Sequence, residues 1–157
     1  MTVEWPNGSN DDLFASPADW ISPNSGGGYG SDPPAATGAK VIVNDTDHIW
    51  GIGGDRVWLW KSFTRGLNVI YMDPWEGRVI PSKANTDLRW AIGNVRRFSM
   101  RLDLAGLVPV PNLASTGYCL ANTVSDVDEY VVYLPPFGDG ARSRVRRKLY
   151  SWVAPWV

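Results

Sequence analysis

The chain changes its pattern of apolar and polar positions three times. Residues 6–40 are strings of turn formers, PNGSNDD, SPNSGGGYGSDPP and ATGAK, which predict loop. A loop this long inside a folded unit is usually functional or badly ordered. Ahead of it, residues 2–5 read as the stub of a strand. Val41, Ile42 and Val43 then form a short, β-branched run bounded by turn residues. This suits a buried strand of a parallel sheet. Asp55 is placed to cap a helix, and Val57, Trp60, Phe63, Thr64 and Leu67 recur at helical spacing. Gly66 stands where that helix would end, because glycine accepts the left-handed conformation. A second apolar run, Val69 to Met72, is halted by Asp73 and Pro74. Strand, loop, helix and strand within about 32 residues predict a βαβ unit with parallel strands and a right-handed connection.

A second helix is predicted from about Asp87 to Asp103. Leu88, Ile92, Val95, Ser99 and Leu102 share one face, with Ala91 and Phe98 beside it. Arg89, Arg96, Arg97 and Arg101 fall mostly elsewhere and read as a solvated face. After Pro109 and Pro111 the pattern changes again. Residues 113–121 and 129–134 predict two strands around the polar loop NTVSDVD, the start of an antiparallel module. The terminal ARSRVRRKLYSWVAPWV fits neither pattern. It reads either as a basic tail or as a chain end altered by truncation or a shifted frame.

Composition narrows the class. A chain of 157 residues, 44 % of them apolar, is one domain or one and part of another, with enough apolar surface for a core. A formal net charge of −1 gives no general attraction to nucleic acid or an anionic membrane. No apolar run approaches the roughly 20 residues that span a bilayer. The N-terminus lacks the basic-then-apolar order of a signal peptide, and Cys119, the one cysteine, permits no internal disulfide. Neither feature assigns a compartment. Nine tryptophans are far above ordinary usage. Most belong in a core or interface, but their flat faces also suit sugar sites.

Chemistry concentrates behind the two parallel strands, where α/β folds place their sites. Asn44, Asp45, Asp47 and His48 follow the first strand, and Asp73, Trp75 and Glu76 follow the second. Neighbouring strands lie roughly 5 Å apart, so both groups would open on one crevice. Three readings of Asp45-x-Asp47-His48 remain open. One is glycoside hydrolysis or sugar binding, in which two carboxyl groups flank the scissile bond. Another is a metal site with hard or borderline ligands. The third is structural, with one aspartate capping the turn and the other paired with Arg56. The glycine turn GIGGD departs from both dinucleotide and P-loop patterns. No nucleophilic Ser-His-Asp set is legible, since Ser62 and Ser99 lie on predicted helices and no G-x-S-x-G occurs.

The string DTDHIWGIGGDRVWLWKSFTRGLNVIYMDPW, residues 45–75, resembles bacterial glycoside hydrolases of the apiosidase-like family. These are (β/α)8 barrels followed by a small β-sandwich labelled a collagen-binding domain. The resemblance extends upstream through MTVEWPNGSNDDLFASPADWISP and downstream through RWAIGNVRRFSMRLDLAGLVP. LASTGYCLAN and DEYVVYLP look like opening strands of the sandwich, and the likeness fades after about residue 137. It implies that 41–44 is the seventh barrel strand and 69–72 the eighth. Related barrel glycosidases keep a nucleophilic carboxylate, generally Glu, at the end of the seventh strand. The matching residue here is Asp47, with Asp45 as its orienting neighbour. His48, Trp50, Asp73 and Trp75 would line sugar subsites, and Glu4, ending a sixth strand, is a further substrate contact. The acid/base partner would follow a fourth strand not found in this sequence.

The resemblance therefore implies an α/β fold: the C-terminal βα units of an incomplete TIM-like barrel over 1–110, then a truncated β-sandwich over 111–157. Its substrate would be a carbohydrate, with the side chains of plant or microbial polysaccharides as the class. It needs no cofactor and no metal. An eight-stranded barrel cannot close on two or three strands, so its further partner would be the missing N-terminal barrel half. Alone, the chain would be inactive and prone to aggregate through open strand edges. The alternatives are a non-catalytic carbohydrate-binding module and a decayed structural fragment.

Overall fold

The computed structural model describes residues 9–49, 53–72, 83–122 and 129–136. Among these the chain is a mixed α/β fold with one parallel and one antiparallel sheet, three strands each, and three α-helices. No helix among them is long and apolar enough to cross a membrane. The expected strand at 2–5, the polar loop at 123–128 and the basic tail lie outside the described residues.

The parallel sheet has the order β1-β2-β3, from β1 (Trp20–Ile21), β2 (Val41–Asp45) and β3 (Asn68–Ile70). Trp20 pairs with Val41, and Asp45 pairs with Ile70. The predicted βαβ unit is thus present, with small shifts: β2 runs on through Asn44 and Asp45, and β3 stops before Tyr71. Residues 6–40, expected to be loop, hold both β1 and the helix α1 (Asn10–Ala15). Two strand residues are too few to show a period. α1 had a legible signal in Ser9-x-x-Asp12, a reciprocal capping box: Asp12 N donates to Ser9 Oγ at 3.2 Å, and Ser9 N donates to Asp12 Oδ2 at 2.8 Å. Asn10 then ties the loop behind β1, accepting from Asn24 N at 2.9 Å and donating to Gly26 O at 3.0 Å. Lys40 Nζ donates to Ser16 O and Ala18 O, which fixes the path from α1 to β1 against the start of β2. Leu13, Ile21, Tyr29, Ile42 and Leu67 form the core beneath.

The crossover helix α2 (Arg56–Thr64) is capped by Asp55, whose Oδ1 accepts from Trp58 N at 2.8 Å. It closes at Gly66 with φ 78°. Its most buried residues are Trp58, Leu59, Ser62 and Thr64; of the expected face, Thr64 and Leu67 are buried, while Val57, Trp60 and Phe63 are half-buried. The reason is that α2 is covered on several sides. Trp58 and Leu59 pack with Leu88, Ala91 and Val95 of α3 (Lys83–Ser99), while Trp60 and Phe63 turn toward the second sheet. α3 begins four residues earlier than its pattern suggested and ends four earlier, and Arg89, Arg96 and Arg97 on it are exposed as expected.

The antiparallel sheet joins β4 (Val108–Pro109), β5 (Cys119–Asn122) and β6 (Glu129–Val132) in that order. β4 was not anticipated. Residues 113–118, expected to begin a strand, instead form a short 3-10 turn and loop. Leu107, Leu120 and Val131 pack against Phe63, Phe98 and Leu102. Trp60 is central to the join: it meets Phe98 edge-on at 5.7 Å and stacks on Tyr133 at 6.1 Å between ring centroids.

Candidate functional site

The site lies at the C-terminal end of the parallel sheet. Ser22 follows β1, Asp45 ends β2, and His48 lies three residues further on. Parallel pairing of β1 and β2 brings Ser22 beside Asp45 across 23 positions of sequence. Asp45 has 2 % of its side chain exposed, and both of its oxygens are engaged. Oδ1 accepts from the His48 backbone N–H at 2.9 Å, and Oδ2 accepts a short hydrogen bond from the Ser22 hydroxyl. His48 turns its Nδ1 inward, 3.1 Å from Ser22 Oγ and 3.6 Å from Asp45 Oδ2. Its side chain is 32 % exposed, so the ring is half open to solvent. Asp47, also half-buried, is the next carboxylate along the same loop.

The floor of this loop is polar and bonded through its donors, while Asn44 Oδ1 is buried with no hydrogen-bond partner among the described residues. Asn44 is fully buried; its Nδ2 donates to Tyr29 O at 3.2 Å and to Ser62 Oγ at 3.1 Å. Trp58 Nε1 donates to the same Tyr29 carbonyl at 2.7 Å. The loop after β1 and the helix α2 are therefore locked onto the end of β2. Thr46 makes the corresponding link to β3. Its hydroxyl donates to Met72 O at 2.7 Å and accepts from Met72 N at 2.9 Å. That pair holds the chain leaving β3 against the chain leaving β2. The turn back into α2 is equally constrained. Gly54 has φ 85°, and a Cβ there would meet the Trp58 ring at 2.5 Å. Only glycine fits both the conformation and the space.

Of the residues singled out from sequence, Asp45, Asp47 and His48 fall in this one loop. Glu4, Trp50, Asp73 and Trp75 lie outside the described residues. β2 lies between β1 and β3, with the expected pairing to β3 present, and it is β1 (Trp20–Ile21) on its other flank that delivers Ser22 to Asp45. Sequence reading missed Ser22, Asn44 as a structural hub, and Thr46. The signal for Ser22 was slight: an apolar pair, Trp20-Ile21, followed by the Ser-Pro-Asn of a strand end.

The chemistry of the cluster follows from its bonds. A serine, a histidine and an aspartate do meet, but not as a nucleophilic triad. In that arrangement the imidazole stands between hydroxyl and carboxylate, with one ring nitrogen for each. Here Ser22 bonds the carboxylate itself and shares the Nδ1 side of the ring with it. Asp45, enclosed and saturated, works as an anchor. Part of the structural reading thus holds for Asp45, which caps its own turn. Groups of three or more His, Cys, Asp or Glu side chains able to hold a metal ion are absent among the described residues. No family model, curated protein or solved structure matches the chain.

Proposed function

We propose that the chain contributes the C-terminal βα units of a (β/α)8-barrel glycoside hydrolase of the apiosidase-like kind, acting on carbohydrate through the loop behind β2. The observation that carries this reading is the convergence of Ser22, Asp45 and His48 at the C-terminal ends of adjacent parallel strands. Barrel enzymes place catalytic groups at that end of the sheet. The division of labour between the aspartates agrees with it. Asp45 is buried and spends both oxygens on Ser22 and His48, as an orienting residue should. Asp47 is half-buried and is left as the reactive carboxylate. Its acid/base partner would come from the barrel half that completes the sheet, because glycoside cleavage needs two carboxyl groups across the sugar. His48, with one edge of its ring anchored and about a third of its side chain exposed, makes a hydrogen bond with a sugar hydroxyl.

The test is to join the chain to an N-terminal barrel half, as encoded upstream or supplied in trans, and assay a panel of aryl glycosides. Turnover by the complete protein and none by the chain alone is the expected result. Asp47→Asn in the active protein should cut kcat by roughly 10³-fold or more, the scale of losing a nucleophile. Unchanged turnover in that variant removes Asp47 from the mechanism. Saturable oligosaccharide binding by the chain alone, without hydrolysis in any joined form, would replace the enzyme reading with a carbohydrate-binding module.

A further inference from the structure

We propose that Ser22 is a positioning residue that fixes the tautomer of His48, so that Nε2 is the hydrogen-bond acceptor presented to the ligand. A carboxylate only accepts, so the short contact between Ser22 Oγ and Asp45 Oδ2 consumes the single proton of the hydroxyl. Ser22 Oγ then has lone pairs left and no proton. The 3.1 Å contact between that oxygen and His48 Nδ1 must be completed by a proton on Nδ1. Asp45 Oδ2, 3.6 Å from the same nitrogen, favours the proton there as well. In the neutral ring the other nitrogen, Nε2, carries a lone pair. The relay runs from His48 Nδ1–H to Ser22 Oγ–H to the Asp45 carboxylate, and it turns a buried charge into a defined acceptor at the ring edge.

The arrangement is also rigid. Asp45 holds the His48 backbone N–H at 2.9 Å while it anchors Ser22, so one carboxylate sets both the start of the loop and the serine. β1 and β2 are hydrogen-bonded neighbours, paired through Ile21 and Ile42, and Ser22 directly follows the paired residues of β1. The ligand class follows from the acceptor. A neutral Nε2 lone pair takes a hydroxyl donor, and among uncharged polar ligands a sugar presents the densest set. This last step rests on the glycoside hydrolase reading; the tautomer itself does not.

His48 is the only histidine in the chain, so its imidazole nitrogens give an unambiguous NMR signal. With the full chain labelled with ¹⁵N-histidine, the neutral ring should show Nδ1 protonated and Nε2 bare. Ser22→Ala should shift the ring toward the Nε2–H form that predominates in free imidazole side chains, and Ser22→Thr, which keeps the hydroxyl, should restore the Nδ1–H form. An Nε2–H signal in the unaltered chain overturns the proposal at once, whether or not any variant folds. So does an unchanged tautomer in Ser22→Ala with a native amide spectrum. In the joined, active protein, Ser22→Ala should lower kcat/KM about 10-fold or more, the scale of losing one hydrogen bond to a charged group, with recovery in Ser22→Thr. Absence of any glycosidase activity would refute the enzyme reading and leave the tautomer result standing.

Discussion

Asp45 and Asp47 are two positions apart, yet they have opposite physical situations, and a pair of substitutions separates them. Asp45 is buried and accepts from a hydroxyl and a backbone amide. Asp45→Ala strands both donors in a part-buried site, where each unsatisfied group costs on the order of 1–3 kcal/mol. The expected loss of stability is about 2 kcal/mol, read as a fall in the urea midpoint at constant m-value. Asp47→Asn changes a half-buried side chain and should stay within about 0.5 kcal/mol. Equal losses would make Asp47 a structural residue. The contrast was not legible in the spacing of Asp-Thr-Asp-His itself, where only the family resemblance set Asp47 apart from Asp45. It depends on Ser22, which arrives from another strand across 23 positions, and no local spacing encodes that meeting.

At the level of elements, what could be read were those whose period is longer than their noise. α2 and α3 repeat their pattern often enough to register, β2 is marked by its β-branched run between turn residues, and Asp55 and Gly66 mark the ends of α2 as their chemistry requires. β1 could not be read, because two residues between proline- and glycine-rich segments show no alternation. The buried face of α2 was read only in part, at Thr64 and Leu67, for a related reason. A helix covered on several sides has no single apolar stripe, and the spacing rule then selects one of several valid faces. The turn into α2 supplies the sharpest prediction at this scale. Gly54→Ala must place a β-carbon in a left-handed conformation and push against the Trp58 ring. The conformation alone costs roughly 1–2 kcal/mol, and Trp58 is held in place by its bond to Tyr29 O. A loss of about 2 kcal/mol or more is expected in urea unfolding. Gly38, with φ 83° and open space around its missing Cβ, provides the control, since Gly38→Ala should cost only the conformational part.

Over the whole molecule, the two sheets share one interior. Trp60 touches Phe63, Phe98 and Tyr133, and Gly66 leaves no room for a Cβ beside Pro109 of β4, whose Cγ would lie 2.8 Å away. Tyr118, in the loop before β5, hydrogen-bonds Asp32 behind β1, and the Arg65 guanidinium lies 4.8 Å from its ring centroid. These contacts bind the antiparallel sheet to the helices, so both should unfold together. Cys119 reports on that directly. It is 1 % exposed in β5, and burial pushes its thiol up to about 11, so at pH 8 it is both hidden and protonated. A disulfide reagent at pH 8 should label it only as the chain unfolds, along the same urea curve as the helical circular dichroism. Trp60→Ala removes the half-buried aromatic that spans the join, at a cost below the roughly 3–5 kcal/mol of a fully buried aromatic. It should also separate the curves, with Cys119 labelled at lower urea than the helices melt. If the two probes still coincide in Trp60→Ala, the coupling runs through Tyr118 and Asp32, and Tyr118→Phe in the same background should part them. Curves that are separate already in the unaltered chain would show two independently folding sheets and contradict the shared interior.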